Sequence, residues 1–405
     1  MWEGVIMEEK KDIGLSYLRQ LDMNPPKESK LLYFQFSAKF GETTGRKMLT
    51  ELYRKIREFE ENPKYLREFY EMKNESLDKA LLFNGGYQAD NYRQICNWIV
   101  ENHDVFGKEI LDAGCECGIM SCFLGMAFPE SHITAVDRSP NAIKAAKELA
   151  DRLDVHNITF INTDVTNLPG QKYDTVFAMR LLQENCEIND VMSGYNMLKA
   201  EAADFAGNIH DFAKKLTGLV AEDGYLVSAE RCDVDPVFLG WIQKLNECGL
   251  AGVPECYREI VCEEMENQGR IQVFAARNSG MEDADEVYRF WCACQIVHTE
   301  LAKNSQYTGW YADMELQNFG KELLNGFILQ DSAGNNLLTY SLWSHKEFSD
   351  FLLLYQAMSD EHILSLYQAS SKDDIIRQIE DLKREYVQAG TVAKPLTFVD
   401  GVLKS

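Results

Sequence analysis

Apolar residues recur along this 405-residue chain in three successive rhythms. From Arg46 to Tyr70 they fall at helical spacing, with Met48, Leu49, Leu52, Ile56 and Phe59 on one face. Asn62-Pro63 ends that run, because proline disfavours a helical residue before it. Asn84-Gly85-Gly86 predicts a second break. Another amphipathic segment follows, with Tyr92, Ile95, Trp98 and Ile99 together, and ends near Glu101-Asn102-His103. Residues 1–107 thus read as mainly helical.

From residue 108 the rhythm changes to short apolar runs alternating with helical patterns, as βαβ units require. The predicted strands are Glu109 to Ala113, His132 to Val136, Asn157 to Ile161, Tyr173 to Ala178 and Gly224 to Ala229. Two more, Cys256 to Glu263 and Arg270 to Ala276, flank the polar stretch Glu266-Asn267-Gln268-Gly269 and read as an antiparallel edge hairpin. The connection from Glu184 to Gly218 is longer than a plain crossover needs, which suits a cap or a substrate-facing element. Beyond residue 280 the pattern shifts again. A helix is predicted over Ala284 to Lys303, then strands at Trp310 to Phe319, Leu324 to Gln330 and Leu337 to Trp343. Helix, strand and helix follow, ending near Gln388. The division that results is an N-terminal helical region at 1–86, an α/β domain at 87–280 and an α+β domain at 281–405.

Composition adds a constraint on partners. The formal net charge is −23, and residues 108–280 hold 27 acidic against 15 basic side chains. Such a field repels a polyanion, and no basic stripe is visible, which argues against a nucleic-acid substrate. No apolar run approaches the roughly 18 residues of a spanning helix. The opening Met1-Trp2-Glu3-Gly4 lacks the basic and apolar regions of a signal peptide. The expectation is a cytoplasmic protein without a membrane segment. Its eleven cysteines then read as reduced, mostly buried thiols. No C-x-x-C pair exists, so structural zinc is not expected. Asp233-x-Asp235 reads as a solvated loop rather than a metal site, and His103 and His210 as structural.

The informative stretch is Glu109-Ile110-Leu111-Asp112-Ala113-Gly114-Cys115-Glu116-Cys117-Gly118. An apolar strand enters a glycine turn, and an apolar helix follows (Ile119, Phe123, Leu124, Met126). Glycine admits positive φ and close approach of the backbone to a ligand. The helix N-terminus beyond offers unpaired N–H groups. The second strand ends in Asp137, whose carboxylate can accept hydrogen bonds from a ribose diol. The third ends at Asp164-Val165 and the fourth at Met179-Arg180. All these strand ends fall on the carboxyl edge of a parallel sheet, where open α/β folds bind ligands.

In these residues the segment from about 87 to 280 resembles the class I S-adenosylmethionine-dependent methyltransferase family. Asp112, Gly114 and Gly118 match its acidic-x-Gly-x-Gly-x-Gly loop, with Glu116 in place of the middle glycine. Asp137 matches the ribose-binding acid, and Asp164 and Val165 the adenine-contacting pair. Met179 and Arg180 stand where the family faces the methionine end, and Asp223-Gly224-Tyr225-Leu226 matches the turn into the fifth strand. The resemblance implies a Rossmann-like seven-stranded sheet, S-adenosylmethionine as methyl donor, and cofactor contacts from these residues together with Cys115, Glu116 and Arg138.

The expected function is therefore methyl transfer to a small molecule or peptide. The alternative is a catalytically silent cofactor-binding or scaffold module. A nicotinamide enzyme is disfavoured, because the glycines follow Gly-x-x-x-Gly rather than Gly-x-Gly-x-x-Gly. No catalytic acid or base is assigned. Arg180 is weighed as an anchor for an acidic substrate against a packing role, and Tyr87 and Tyr92 as cofactor covers against core aromatics. The C-terminal domain is expected to aid substrate binding or self-association into a homo-oligomer.

Overall fold

The computed structural model describes residues 12–23, 29–182, 209–232, 235–264, 267–278, 320–346, 351–358, 361–399 and 402–404, with isolated positions between them. Two compact units emerge. The first spans Met1–Gly194 and Leu198–Val287; the second is Tyr195–Met197 with Tyr288–Ser405.

The first unit opens with six helices: α1 (Ile13–Gln20), α2 (Ser29–Phe40), α3 (Glu42–Glu61), α4 (Leu66–Lys73), α5 (Leu77–Tyr87) and α6 (Ala89–Glu101). Asp12 caps α1 through the Leu15 N–H, and Ser76 caps α5 through the Lys79 N–H. The break at Asn62-Pro63 is present, with α3 ending at Glu61 and a single 3-10 turn following. The break expected at Asn84-Gly85-Gly86 is not: α5 runs through to Tyr87. All three residues are buried there, and Gly85 lies against Met23. Packing overrides the low helix propensity of glycine.

Strands and helices then alternate: β1 (Glu109–Ala113), α7 (Ile119–Ala127), β2 (His132–Asp137), α8 (Pro140–Leu153), β3 (Ile158–Asn162), β4 (Tyr173–Met179), α9 (His210–Thr217), β5 (Val220–Glu230), α10 (Asp235–Glu247), β6 (Leu250–Glu264) and β7 (Asn267–Asn278). They form one seven-stranded sheet in the order β3-β2-β1-β4-β5-β7-β6. The first five strands are parallel, and β7 and β6 close the edge antiparallel. This is the expected Rossmann-like sheet. Its hairpin is longer than predicted, and Asn267 to Gly269 are paired in β7 rather than forming the turn. The order reverses at β1, so β1, β2 and β4 end side by side: Ala113 pairs with Val136 on one side and Ala178 on the other. Most of the expected connection from Glu184 to Gly218 lies outside the described residues, and α9 is its far end.

One core joins the N-terminal helices to the sheet. Tyr17 and Leu18 of α1, with Ile95, Trp98 and Ile99 of α6, pack among Phe123 of α7, Phe177 of β4 and Ile271 of β7. The Tyr17 hydroxyl donates to the Ile119 carbonyl at 2.5 Å, and the Trp98 indole donates to the Cys256 carbonyl at 2.8 Å. Leu32, Phe36, Leu49, Leu52, Phe69 and Phe83 make a separate core within α2 to α5.

In the second unit, β8 (Tyr307–Thr308), β9 (Gly320–Gln330), β10 (Asn336–His345), β11 (Phe351–Ala357), β12 (His362–Gln368) and β13 (Val392–Pro395) form a sheet ordered β13-β9-β10-β11-β12-β8. Helix α11 (Lys372–Gln388) lays Ile375 and Ile379 on it. A small ribbon, β14 (Thr397–Val399) with β15 (Val402–Lys404), ends the chain. Where a strand is expected over Trp310 to Phe319, the four described residues, Ala312, Asp313, Leu316 and Gln317, are helical. Aromatic content there imitated β propensity, whose signal depends on context. After β10 the order is strand, strand, helix rather than helix, strand, helix. The helix expected over Ala284 to Lys303 lies mostly outside the described residues, although Val287, Phe290 and Cys294 are helical.

Gly118 fixes how α7 leaves the glycine turn. Its φ is +82°, and a Cβ there would stand 2.8 Å from Ala146 Cβ and 3.0 Å from Ala146 Cα on α8. Gly118→Ala is expected to destabilise the fold by about 2 kcal/mol from left-handed strain and this collision. Adding Ala146→Gly should recover the steric part alone. Urea denaturation of the three variants checks this, and strictly additive losses would show that the two positions do not meet.

Candidate functional site

The cavity at the carboxyl edge of the parallel strands is built from three sources. The β1–α7 turn gives Asp112, Gly114, Cys115, Glu116 and Cys117, with Ile119 and Met120 from the first turn of α7. The ends of β2 and β4 give Asp137, Arg138, Ser139, Met179, Arg180 and Leu181. The N-terminal helices give Arg67, Tyr70, Gln88 and Tyr92. Eight expected site residues are thus brought together: Asp112, Gly114, Cys115, Glu116, Asp137, Arg138, Met179 and Arg180. Gly118, Asp164 and Val165 do not line the cavity. Gly118 is taken up by helix packing, and the Asp164 carboxylate caps a short 3-10 turn through the N–H and hydroxyl of Thr166.

The turn is held from beneath. Gly114 and Cys115 both donate their N–H to the Val136 carbonyl at 2.9 Å. Gly114 has φ +76°, and a Cβ there would collide with Leu181. Asp137 accepts from the Glu116 N–H at 3.0 Å and from the Ser139 N–H at 2.8 Å. A carboxylate has about four acceptor positions, so both oxygens keep capacity toward the cavity. Burial raises the Asp137 carboxyl above its ordinary range. Ser139 meanwhile caps α8 through Ala142, with Pro140 in its first turn.

Glu116 replaces the middle glycine in the left-handed region, with φ +47°. Its side chain explains how it stays there. Lys73 Nζ lies 2.8 Å from Glu116 Oε1, and Asn84 donates to the same oxygen at 3.0 Å. Lys73 is 1% exposed and also donates to Asn84 Oδ1 at 3.2 Å. Its ammonium stands 4.5 Å from the centre of the Tyr70 ring. A departure from the glycine pattern is thus the point where the N-terminal helices grip the loop.

Asp112 is 2% exposed, and its Oδ2 accepts from the Ser121 hydroxyl at 2.5 Å. Burial pushes its carboxyl up to about 7, and the nearby Asp137 charge acts in the same direction. On the far side, the buried Glu230 accepts from the N–H groups of Leu181 and Leu182 at 3.1 and 2.9 Å, and Arg180 donates its N–H to the Ala229 carbonyl at 3.0 Å. This fixes Arg180 at φ +57°.

Tyr92 lines the cavity although it is also a core residue, and burial raises its phenol well above 10. Tyr87 instead packs against Phe83 and Tyr53. Arg67, Tyr70 and Gln88 had no sequence signal, because only tertiary packing brings α4 and the start of α6 to the loop. Ser139 did have one, in the Ser-Pro helix start directly after Asp137. His103 is an exposed neighbour of Asp104, and His210 is exposed at the start of α9. Asp233 lies outside the described residues. No group of residues among the described ones could hold a metal ion. Among the described residues nine cysteines are free, and seven of these are buried.

Two consequences can be measured. Glu116→Gln leaves the buried Lys73 ammonium without its charge partner and should cost about 3 kcal/mol. Lys73→Met with Glu116→Gln should cost clearly less than the two single losses together, as a denaturation double-mutant cycle would show. Additive losses would mean that the pair is not coupled. For Asp112, the folded chain retains a proton to about pH 7, whereas the unfolded carboxyl releases it at its ordinary 3.8. The folded state therefore binds more protons between these values, and this contribution to stability falls as pH rises through that window. Asp112→Asn should raise stability above pH 7 by on the order of 2–4 kcal/mol, at about 1.4 kcal/mol for each tenfold change in proton affinity, with no gain near pH 4. Melting curves across pH read this directly, and an equal effect at both ends would refute it.

The family model described as a methyltransferase domain matches residues 105–304. A malonyl-[acyl-carrier protein] O-methyltransferase 1 of Ilyobacter polytropus is 34% identical over 132 residues, covering 31% of this chain and 47% of that protein. A release factor glutamine methyltransferase of Koribacter versatilis is 30% identical over 117 residues, covering 28% of this chain and 41% of that one. The chain thus spans about half the length or less of these two curated relatives. Among solved structures, a magnesium protoporphyrin IX methyltransferase from Synechocystis with bound S-adenosylmethionine aligns at 20% identity and a TM-score of 0.33, over 50% of this chain and 84% of its own. The loop, the strand order and the matched domain together identify residues 105–304 as a methyltransferase domain of the class I S-adenosylmethionine-dependent fold.

Proposed function

We propose that this chain transfers the methyl group of S-adenosylmethionine to a small-molecule or peptide acceptor. The observation that carries this reading is the convergence of the Gly114–Gly118 turn and the Asp137 carboxylate on one cavity at the point where the strand order reverses. The residues fit the donor. Gly114 lines the cavity with bare backbone at φ +76°, and Asp137 keeps acceptor positions for a ribose diol after binding two backbone N–H groups. Arg138, Met179 and Arg180 would flank the remainder, with Cys115 and Glu116 forming the floor. When bound, the donor supplies a sulfonium methyl group that is electrophilic without further activation.

The protein's task is then chiefly positioning. Glu230 fixes the backbone after β4, Asp137 fixes the turn, and Lys73 fixes the helices that cover it. An acceptor held against that wall can be aligned for in-line attack. None of this requires a dedicated acid or base unless the acceptor carries a proton. The malonyl-carrier and ubiquinone-pathway O-methyltransferases among the relatives are consistent with a small acceptor.

The test is calorimetric titration of the full chain with S-adenosylmethionine and S-adenosylhomocysteine. Micromolar binding is expected, and Asp137→Ala should weaken it by about 10-fold or more, the value of a charge-assisted hydrogen bond. A folded wild-type chain that binds neither ligand would overturn the reading.

A further inference from the structure

We propose that the acceptor is a small anion, carrying a carboxylate or phosphate, and that Arg67 and Arg180 hold that group. This rests on the methyltransferase reading above and names the substrate class for the same cavity. The chain as a whole is strongly acidic, with 64 acidic against 41 basic side chains. Cationic groups in its cavity are therefore not a sample of a generally basic surface.

Three acids and three arginines line the cavity, and Arg138 already has a partner. Each acid is already engaged within the protein. Asp112 takes the Ser121 hydroxyl, Glu116 takes Lys73 and Asn84, and Asp137 takes two backbone N–H groups. Arg67 and Arg180 differ: among the described residues neither guanidinium has an ion pair or a hydrogen bond. A guanidinium has five donors in a fixed fork matched to carboxylate and phosphate oxygens. Two such forks in the lining of one cavity, beside acids that each already accept from a donor of the protein, leave unmatched donors for an anionic ligand.

Both side chains are also placed rather than loose at their roots. Arg180 sits at φ +57° between a β4–β5 backbone bond and the two N–H groups that Glu230 holds. Arg67 lies one turn before Tyr70 on α4, and that helix ends in Lys73, which is locked to Glu116. The phenol of Tyr92, also in the wall, lies within the electrostatic reach of Arg180. The same chemistry could serve the amino-acid carboxylate of the donor, and the experiment separates the two sources.

The full chain, saturated with S-adenosylhomocysteine, is titrated calorimetrically with malonate and with inorganic phosphate at low ionic strength. Arg67→Gln and Arg180→Gln are run in parallel, with melting curves to show that they fold. The proposal expects saturable binding of at least one anion to the wild-type complex. Each variant should weaken it by about 10-fold or more, and Arg67→Gln, which removes no residue placed around the donor, should hold S-adenosylhomocysteine affinity within about 3-fold. Absence of saturable anion binding to the wild-type complex overturns the proposal and leaves the methyltransferase reading intact. So does a matching loss of S-adenosylhomocysteine affinity in Arg67→Gln, which would assign that guanidinium to the donor. Failure of the wild type to bind S-adenosylhomocysteine at all removes the methyltransferase reading, and the proposal with it.

Discussion

The contact on which the site depends is the ion pair between Lys73 and Glu116. Lys73 is almost wholly buried, and an ammonium in that position is tolerable only beside an acceptor. Glu116 provides one, but must adopt a left-handed backbone to do so. The cost of that conformation and the cost of burying the ammonium are each offset by the other residue. Neither would be stable alone. Because Lys73 ends α4 and Glu116 stands in the cofactor loop, this mutual dependence fastens together two segments far apart in sequence. The wall made by Arg67 and Tyr70 follows from it.

The other two positions of the loop show why they remained glycine when the middle one did not. At Gly114 a side chain would strike Leu181, which Glu230 holds in place through its backbone. At Gly118 it would strike Ala146 on the facing helix, including its backbone. Glu116 points instead toward Lys73 and Asn84. Glycine at this turn is thus a requirement of what faces each position. Its spacing alone would not have shown which position could be given up.

The sheet was legible because its signals are local. Each predicted strand of the α/β segment is a short apolar run, and each overlaps a strand of the structure. The acids at Asp112 and Asp137 could be placed because strand ends on one edge of a parallel sheet must share a neighbourhood. The N-terminal wall was not legible for the opposite reason. Arg67, Gln88 and Lys73 owe their positions to contacts far away in sequence, and an amphipathic pattern reveals which face is buried but not what it is buried against. The same limit produced the false break at Asn84-Gly85-Gly86. Two glycines and an asparagine have low helix propensity, yet Asn84 is needed at Glu116 and Gly85 fits against Met23. Tyr92 illustrates a softer ambiguity, since a core aromatic and a cavity wall proved to be the same residue.

Charge inside the cavity follows a logic different from charge along the chain. A net −23 is a property of the whole surface, screened within about 10 Å at 0.1 M ionic strength. Within a partly enclosed cavity what matters is which groups still lack partners. Each acid there already accepts from the protein's own donors: a hydroxyl for Asp112, an ammonium and an amide for Glu116, backbone N–H groups for Asp137. Removing Glu116 would therefore do more than loosen the loop. It would release the Lys73 ammonium behind the Tyr70 ring and shift the balance of the wall further toward positive charge. The acid that departs from the glycine pattern thereby sets two properties at once, the position of the helical wall and the share of its positive charge that remains for a ligand.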